Sequence, residues 1–253
     1  MIKLSYREIA AILRQEIMDG LYPHGSLLPP EPVLAERFGT ARSAINNTFR
    51  VLRGEGLIST QQGRGTYVTA MTSPIVRNAS LRYQAHAREQ GHGAFDYEVR
   101  QLGMTPKSDL TISRVLPPEQ VAEILGVSPG GEVLARSRQM YADNVPVQIA
   151  TSYIPLDIAA DTVLEEAEQG AGGMVSRMAD LGFQQTRMTE RITVRPPSEA
   201  EAEFLSMSSE QRVYVIHHVG WTSSNRPVEV CVHVMPTHYW QLDYSWEVDP
   251  TSS

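Results

Sequence analysis

The chain has 253 residues, 42% hydrophobic and 20% charged, an ordinary globular balance with room for one large domain or two smaller ones. No apolar run approaches the roughly 18 residues a membrane-spanning helix needs, and the single Cys231 excludes an internal disulfide and a cysteine-rich metal site. The net charge of −7 weighs against a nucleic-acid partner only until the chain is divided: residues 1–70 hold eight Lys and Arg against six Asp and Glu, giving +2, and the remainder carries −9. A mildly basic head on an acidic body keeps phosphate contact local. Arg7, Glu8 and Arg14 interrupt the apolar core that a secretion signal would need, so a soluble cytoplasmic protein is expected.

Ile9, Ile12, Leu13 and Ile17 recur at helical spacing and predict a helix over Tyr6–Asp19. Ser5 with Glu8 has capping-box spacing, and Gly20 is a stop signal. Pro29-Pro30 opens a second helix running to Phe38, because proline loses nothing at a first helical position. Gly39 ends it. A third helix is predicted over Arg42–Glu55, with Ile45, Phe49 and Leu52 on one face and Gly56 as terminator. Leu57–Thr60 and Thr66–Thr69 read as short strands around QQGRG. Two helices joined by about four residues form a helix-turn-helix, and the hairpin after it makes the unit winged. The third helix would place its N-terminal residues against base edges in the major groove. A nucleotide-phosphate loop is the other reading of the glycines around Arg64. That loop requires a preceding strand, a Gly-Lys-Ser/Thr ending and a following helix; this one lies between two strands and lacks the lysine.

The stretch LPPEPVLAERFGTARSAINNTFRVLRGEGLISTQQGRGTYV resembles the DNA-binding domain of GntR-type bacterial transcription regulators. The shared features are the LP-x-E entry, LAERFG, the arginine heading helix three, EGLI and GRGTYV, over about 65 residues in register. The resemblance implies that Arg42 and Ser43 start the recognition helix and that Gly63 lies at the wing tip in the minor groove. Gln62, Arg64 and Gly65 complete the expected wing contact. The chain departs from the family pattern at Pro32 and Asn46, where arginines are usual. Asn46 and Asn47 either offer amides to adenine edges or are plain exposed helix residues. Arg50 and Arg53 are candidates to replace the missing phosphate contacts.

Met71–Pro74 is a boundary signal, which divides the chain into a head over 1–70, a linker over 71–79 and a body over 80–253. The body repeats itself. Leu125–Pro155 matches Leu205–Pro236, with Val133 against Val213, Arg138 against His218 and Pro155 against Pro236. Each unit follows a proline pair and a short helix, then reads strand, turn, strand: Val133–Tyr141 with Val147–Ile154, and Val213–Thr222 with Val228–Met235. Two such hairpins predict an antiparallel sheet with helices on one side, an α+β body. Between them, Ile158–Leu181 is expected to be mostly helical, broken at Gly170–Gly173.

This arrangement resembles the UTRA effector-binding domain of the HutC branch, with its chorismate-lyase-like fold, over roughly residues 80 to 245. In that branch the Arg-x-Arg pair often holds an anionic effector, so the resemblance implies a phosphorylated or carboxylated ligand at Arg136 and Arg138. Two apart on a strand, they share a face, and paired guanidinium forks suit a phosphate or carboxylate. The alternative is a solvated sheet face on which they pair with carboxylates such as Glu190. Tyr153, His218 and Tyr239 are further candidates, each also readable as a satisfied sheet residue. A glutamate usual in the family falls at Ala150. His217 and His218 face opposite sides of a strand and form no common metal site. No cofactor is implied. The expected function is a DNA-binding regulator, a repressor by the resemblance, acting as a homodimer on a near-palindromic operator. The alternatives are an enzyme on the lyase-like body, for which no catalytic constellation is present, or a repressor that needs no effector.

Overall fold

The computed structural model describes residues 4–61, 63, 65–69, 71, 73–79, 93–168, 170, 173–208 and 210–246. The chain forms two compact units. The first holds the chain up to Pro74 together with Pro196–Val213 and Pro236–Trp240; the second holds the described parts of Ile75–Arg195, Tyr214–Met235 and the chain from Gln241 on. Two segments from beyond residue 195 thus pack with the head, which the sequence division into 1–70 and 80–253 does not include.

In the first unit, α1 spans Tyr6–Met18, α2 Glu31–Arg37 and α3 Arg42–Gly54. Ser5 caps α1 through the expected capping box with Glu8. Gly39 adopts φ +59° after α2, a left-handed stop in which Thr40 N–H reaches back to the carbonyl of Ala35. Strands β1 (Ile58–Gln61) and β2 (Gly65–Val68) pair antiparallel from Ile58↔Val68 to Gln61↔Gly65. The segment 25–28 adds to this hairpin: Gly25 N–H and Leu28 N–H donate to the carbonyls of Val68 and Thr66. Ile9, Leu13, Leu34, Ile45, Phe49, Leu52, Ile58 and Val68 close over one core, each at most 2% exposed. Burying each such side chain stabilises the unit by roughly 1.5–3 kcal/mol. Arg14 grips Glu55 with Nη2 at 2.5 Å and Nε at 2.8 Å, tying α1 to the end of α3.

The second unit carries a six-stranded sheet in the order β4-β5-β6-β9-β8-β7. Its strands are β4 (Pro106–Val115), β5 (Val133–Ala142), β6 (Val145–Pro155), β7 (Arg187–Arg195), β8 (Val213–Trp221) and β9 (Pro227–Pro236). Strand β3 (Ile75–Asn78) lies within the expected linker and pairs with β10 (Trp240–Asp243). The repeat is real and longer than the sequence reading: each half is strand, helix, strand, strand. Helix α4 (Ala94–Arg100) precedes β4, α5 (Glu119–Leu125) follows it, α8 (Glu199–Phe204), which belongs to the first unit, follows β7, and the halves meet at the β6–β9 seam. The segment expected to be mostly helical breaks into α6 (Leu156–Ala159), a 3-10 turn (Val163–Glu165) and α7 (Gly173–Asp180). Helices cover both faces, not one. Val121 of α5 packs on Val219 and Val230, while α6, the 3-10 turn and α7 pack on Leu134, Ile154 and Val228. No described helix is long and apolar enough to cross a membrane.

Candidate functional site

Helix α3 has two chemically distinct faces. Ile45, Thr48, Phe49 and Leu52 are buried, and Arg42, Ser43, Asn46 and Arg50 form an exposed stripe opposite them. Asn47 is half-buried at its margin. Thr48 anchors the buried side: its Oγ1 lies 2.9 Å from the Ala44 carbonyl and 3.1 Å from that of Tyr6. Ala41 gives α3 no side-chain cap, and Ala44 N–H bonds back to the Ala41 carbonyl, which leaves the amides of Arg42 and Ser43 for a phosphate oxygen. Arg50 and Arg53 face Glu210 at 3.8 and 3.5 Å, and Arg53 also donates to Thr60 Oγ1 at 3.4 Å. These exposed pairs are weak enough to exchange for phosphate.

Gly63 is exposed at φ +78° and Gly65 at φ +101°, backbone conformations that glycine alone adopts without strain. Gln62 and Arg64 lie outside the described residues. The head therefore presents an exposed polar helix face and a glycine turn, the two parts needed to meet a groove and its flanking backbone.

On the sheet, register decides which side chains meet. Arg138 stands opposite Ala150, and Arg136 opposite Ser152. On the next strand Ala150 faces His233 and Ser152 faces Cys231. Arg136 and Arg138 thus share a face, as expected, and do different work. Arg136 is buried and donates to the carbonyls of Leu164 (2.7 Å), Glu166 (2.6 Å) and Ala167 (3.2 Å), so it braces the chain around the 3-10 turn. Burial, and then the neighbouring charge of Arg138, lower its pKa. Arg138 donates from Nη2 to Ser152 Oγ at 3.0 Å and to Cys231 Sγ at 3.7 Å.

His218 and Glu190 come together: Nδ1 lies 3.2 Å from Oε1. Tyr244 donates to the other carboxylate oxygen at 2.5 Å, and Arg77 Nη2 pairs with Oε1. Burial alone would raise the Glu190 pKa; the bond to His218, the charge of Arg77 and the bond to Tyr244 reverse this and hold it near about 2. The row continues through His233, whose ring lies 6.5 Å from that of His218 and whose Nδ1 lies 3.1 Å from Gln148 Nε2.

Two expected residues are not part of this row. A bulge between Met140 and Tyr141 shifts the β5–β6 register by one, so Tyr153 pairs with Ala135 and packs on the opposite face beside Val121. Tyr239 belongs to the first unit, where its hydroxyl reaches the Thr69 carbonyl at 3.5 Å. Arg77, Ser152, Cys231 and His233 were not expected from sequence to line an effector site. Ser152 and His233 follow once the bulge is known; for Arg77 the signal is a lone arginine after Ile75-Val76, just past Pro74. Among the described residues no His, Cys, Asp and Glu group can hold a metal.

Residues 5–68 match the family of bacterial regulatory proteins described as the gntR family, and residues 101–240 match the UTRA domain. The HTH-type transcriptional regulator SCO4628 of Streptomyces coelicolor is 28% identical, over 94% of this chain and 92% of its own. The HTH-type transcriptional regulator Rv0792c of Mycobacterium tuberculosis is 25% identical over 92% and 82%. Among solved structures, one described as a GntR-family transcriptional regulator aligns at TM-score 0.61 and 26% identity over 98% of this chain and 99% of its own. PhnF from Mycobacterium smegmatis shares the fold at TM-score 0.58 and 21% identity over 95% and 99%.

Proposed function

Because the chain belongs to the GntR family of bacterial regulatory proteins and carries a UTRA domain, we propose that it represses transcription as a homodimer and is controlled by a small anionic effector. Its standing as a DNA-binding transcriptional regulator, and not an enzyme, follows from the family and its relatives. The observation that carries the reading is the exposed stripe Arg42, Ser43, Asn46 and Arg50 on a helix whose other face is sealed in the core. That helix reads base edges from the major groove, Arg42 and Arg50 answer phosphates, and the wing enters the minor groove. A two-fold dimer places two such helices on a near-palindromic site.

The buried polar row on the sheet supports control by an anion, because Arg138 reaches it with no carboxylate bonded to it among the described residues. Arg136, spent on carbonyls, contributes rigidity in this reading. The row also argues against an effector-independent repressor, since buried polar groups are costly to keep. A mobility shift on duplexes from the protein's own upstream DNA tests the reading. Binding that weakens steeply with salt and with Arg42→Ala is expected; no binding to any such fragment at low salt would end it.

A further inference from the structure

Arg77 on β3 is only 1% exposed. Its Nη2 pairs with Glu190, yet Nε and Nη1 have no hydrogen-bond partner among the described residues. An unmade bond from a buried donor costs about 1–3 kcal/mol, and more when the group is charged. Two on one cation are rare in a settled interior. Arg138 repeats the pattern: Nη2 is bonded to Ser152 and Cys231, and the buried Nε has no partner.

The two arginines stand at the ends of one row. From β5 to β7 it runs Arg138, His233, His218, Glu190, with Arg77 on the far carboxylate. Arg138 already reaches across Ser152 to Cys231 on β9, towards the end of the row that Arg77 occupies. Burial pushes the Cys231 thiol up and the buried Glu229, held by Gln185, adds to this, while the charge of Arg138 and, more weakly, that of Arg77 oppose it, so both guanidiniums act on this one spot. Glu190 compensates Arg77; among the described residues no carboxylate is bonded to Arg138.

We infer that Arg77 and Arg138 together bind the phosphate or carboxylate group of the small molecule that occupies this face. The inference rests on the effector reading above and adds to it a residue from outside the Arg-x-Arg strand. Glu190 is a positioning residue: held by His218 and Tyr244, it fixes Nη2 and leaves Nε and Nη1 for the anion. Strand β3 begins directly after Pro74, so the anion is gripped by the sheet strand nearest in sequence to the head.

The test is thermal unfolding of the full chain in millimolar inorganic phosphate or succinate at constant ionic strength, because an anion bound only by the folded state stabilises it by mass action. Arg77→Lys keeps the pair with Glu190, and Arg77→Met with Glu190→Gln removes the pair without leaving a buried charge. The expected result is a rise in unfolding temperature for the wild type, for one or both anions, and an apparent affinity about tenfold weaker in both Arg77 variants and in Arg138→Met. Arg114→Gln, which removes an arginine at the sheet edge, should respond as the wild type does. Equal response of the wild type and both Arg77 variants, with loss only in Arg138→Met, would overturn the assignment of Arg77 and leave an anionic effector standing. A wild type indifferent to both anions would overturn both.

Discussion

Gly56 joins α3 to β1, and a methyl group there should damage the first unit more than at any other turn of the helix-turn-helix. Its φ is +74°, and a Cβ would lie 2.0, 2.1 and 2.4 Å from Cγ, Cδ2 and Cβ of His238. Left-handed backbone costs a non-glycine residue about 1–2 kcal/mol. Displacing a packed ring adds about 1–3 kcal/mol, so Gly56→Ala should cost about 2–5 kcal/mol in all. Gly39→Ala is the control: φ is +59°, but nothing lies within 4 Å of its Cβ, so only the backbone cost of about 1–2 kcal/mol remains. Urea unfolding followed by circular dichroism measures both. In a cycle with His238→Ala, the double variant should be more stable than the sum of the singles predicts by about 1–3 kcal/mol. A Gly56→Ala cost no larger than that of Gly39→Ala, or an additive cycle, would show that residues 236–240 do not pack on the α3–β1 junction.

Other outcomes follow from the same geometry. Burial pushes His238 down to about 4 from its ordinary 6.5, so the unfolded state binds more protons between those values. The stability His238 gives is full above pH 6.5 and lost as pH falls toward about 4, by up to about 3 kcal/mol, and His238→Phe should flatten that slope in unfolding curves. Thr48→Val keeps the shape but removes the bond from Oγ1 to Ala44 or Tyr6, and should cost about 1 kcal/mol by urea unfolding. Arg50→Ala should weaken DNA binding to all sequences alike and lower the salt slope by about 1, with anion-dependent thermal shifts unchanged.

Most of the head was legible in the sequence, because its elements carry their own punctuation. Periodic Ile9, Leu13 and Ile17 set α1, Ser5 with Glu8 capped it, and glycines ended each helix within a residue or two of the expected place. In the body, the inner strands were readable from valine runs that are buried on both faces. The outer strands β4 and β7 were not. PKSDLTISRV and RMTERITVR are mostly exposed, so polar side chains interrupt the alternation that marks a strand. The segment after Ile158 looked helical by its apolar content, but Gly170 and Gly173 at positive φ and a 3-10 turn cut it short.

The site was partly legible for a related reason. Period-two spacing placed Arg136 and Arg138 on one face, but spacing is blind to the carbonyls of 164, 166 and 167 that come from 28 to 31 residues away to hold Arg136. Tyr153 was misplaced by one residue. A plain two-residue turn at Asp143-Asn144 would have put it on the arginine face, and the bulge at Met140/Tyr141 reversed it. Arg77 needed the fold itself, since Glu190 lies 113 residues away.

The most direct test of the central claim is fluorescence anisotropy of a labelled duplex from the protein's own upstream region, titrated with wild type and with Arg42→Ala at two salt concentrations. The account predicts saturable binding by the wild type that falls steeply with salt, and weaker binding with a shallower slope for Arg42→Ala. Identical curves for the two proteins, or binding indifferent to salt, would contradict the assignment of α3 as the element that meets DNA.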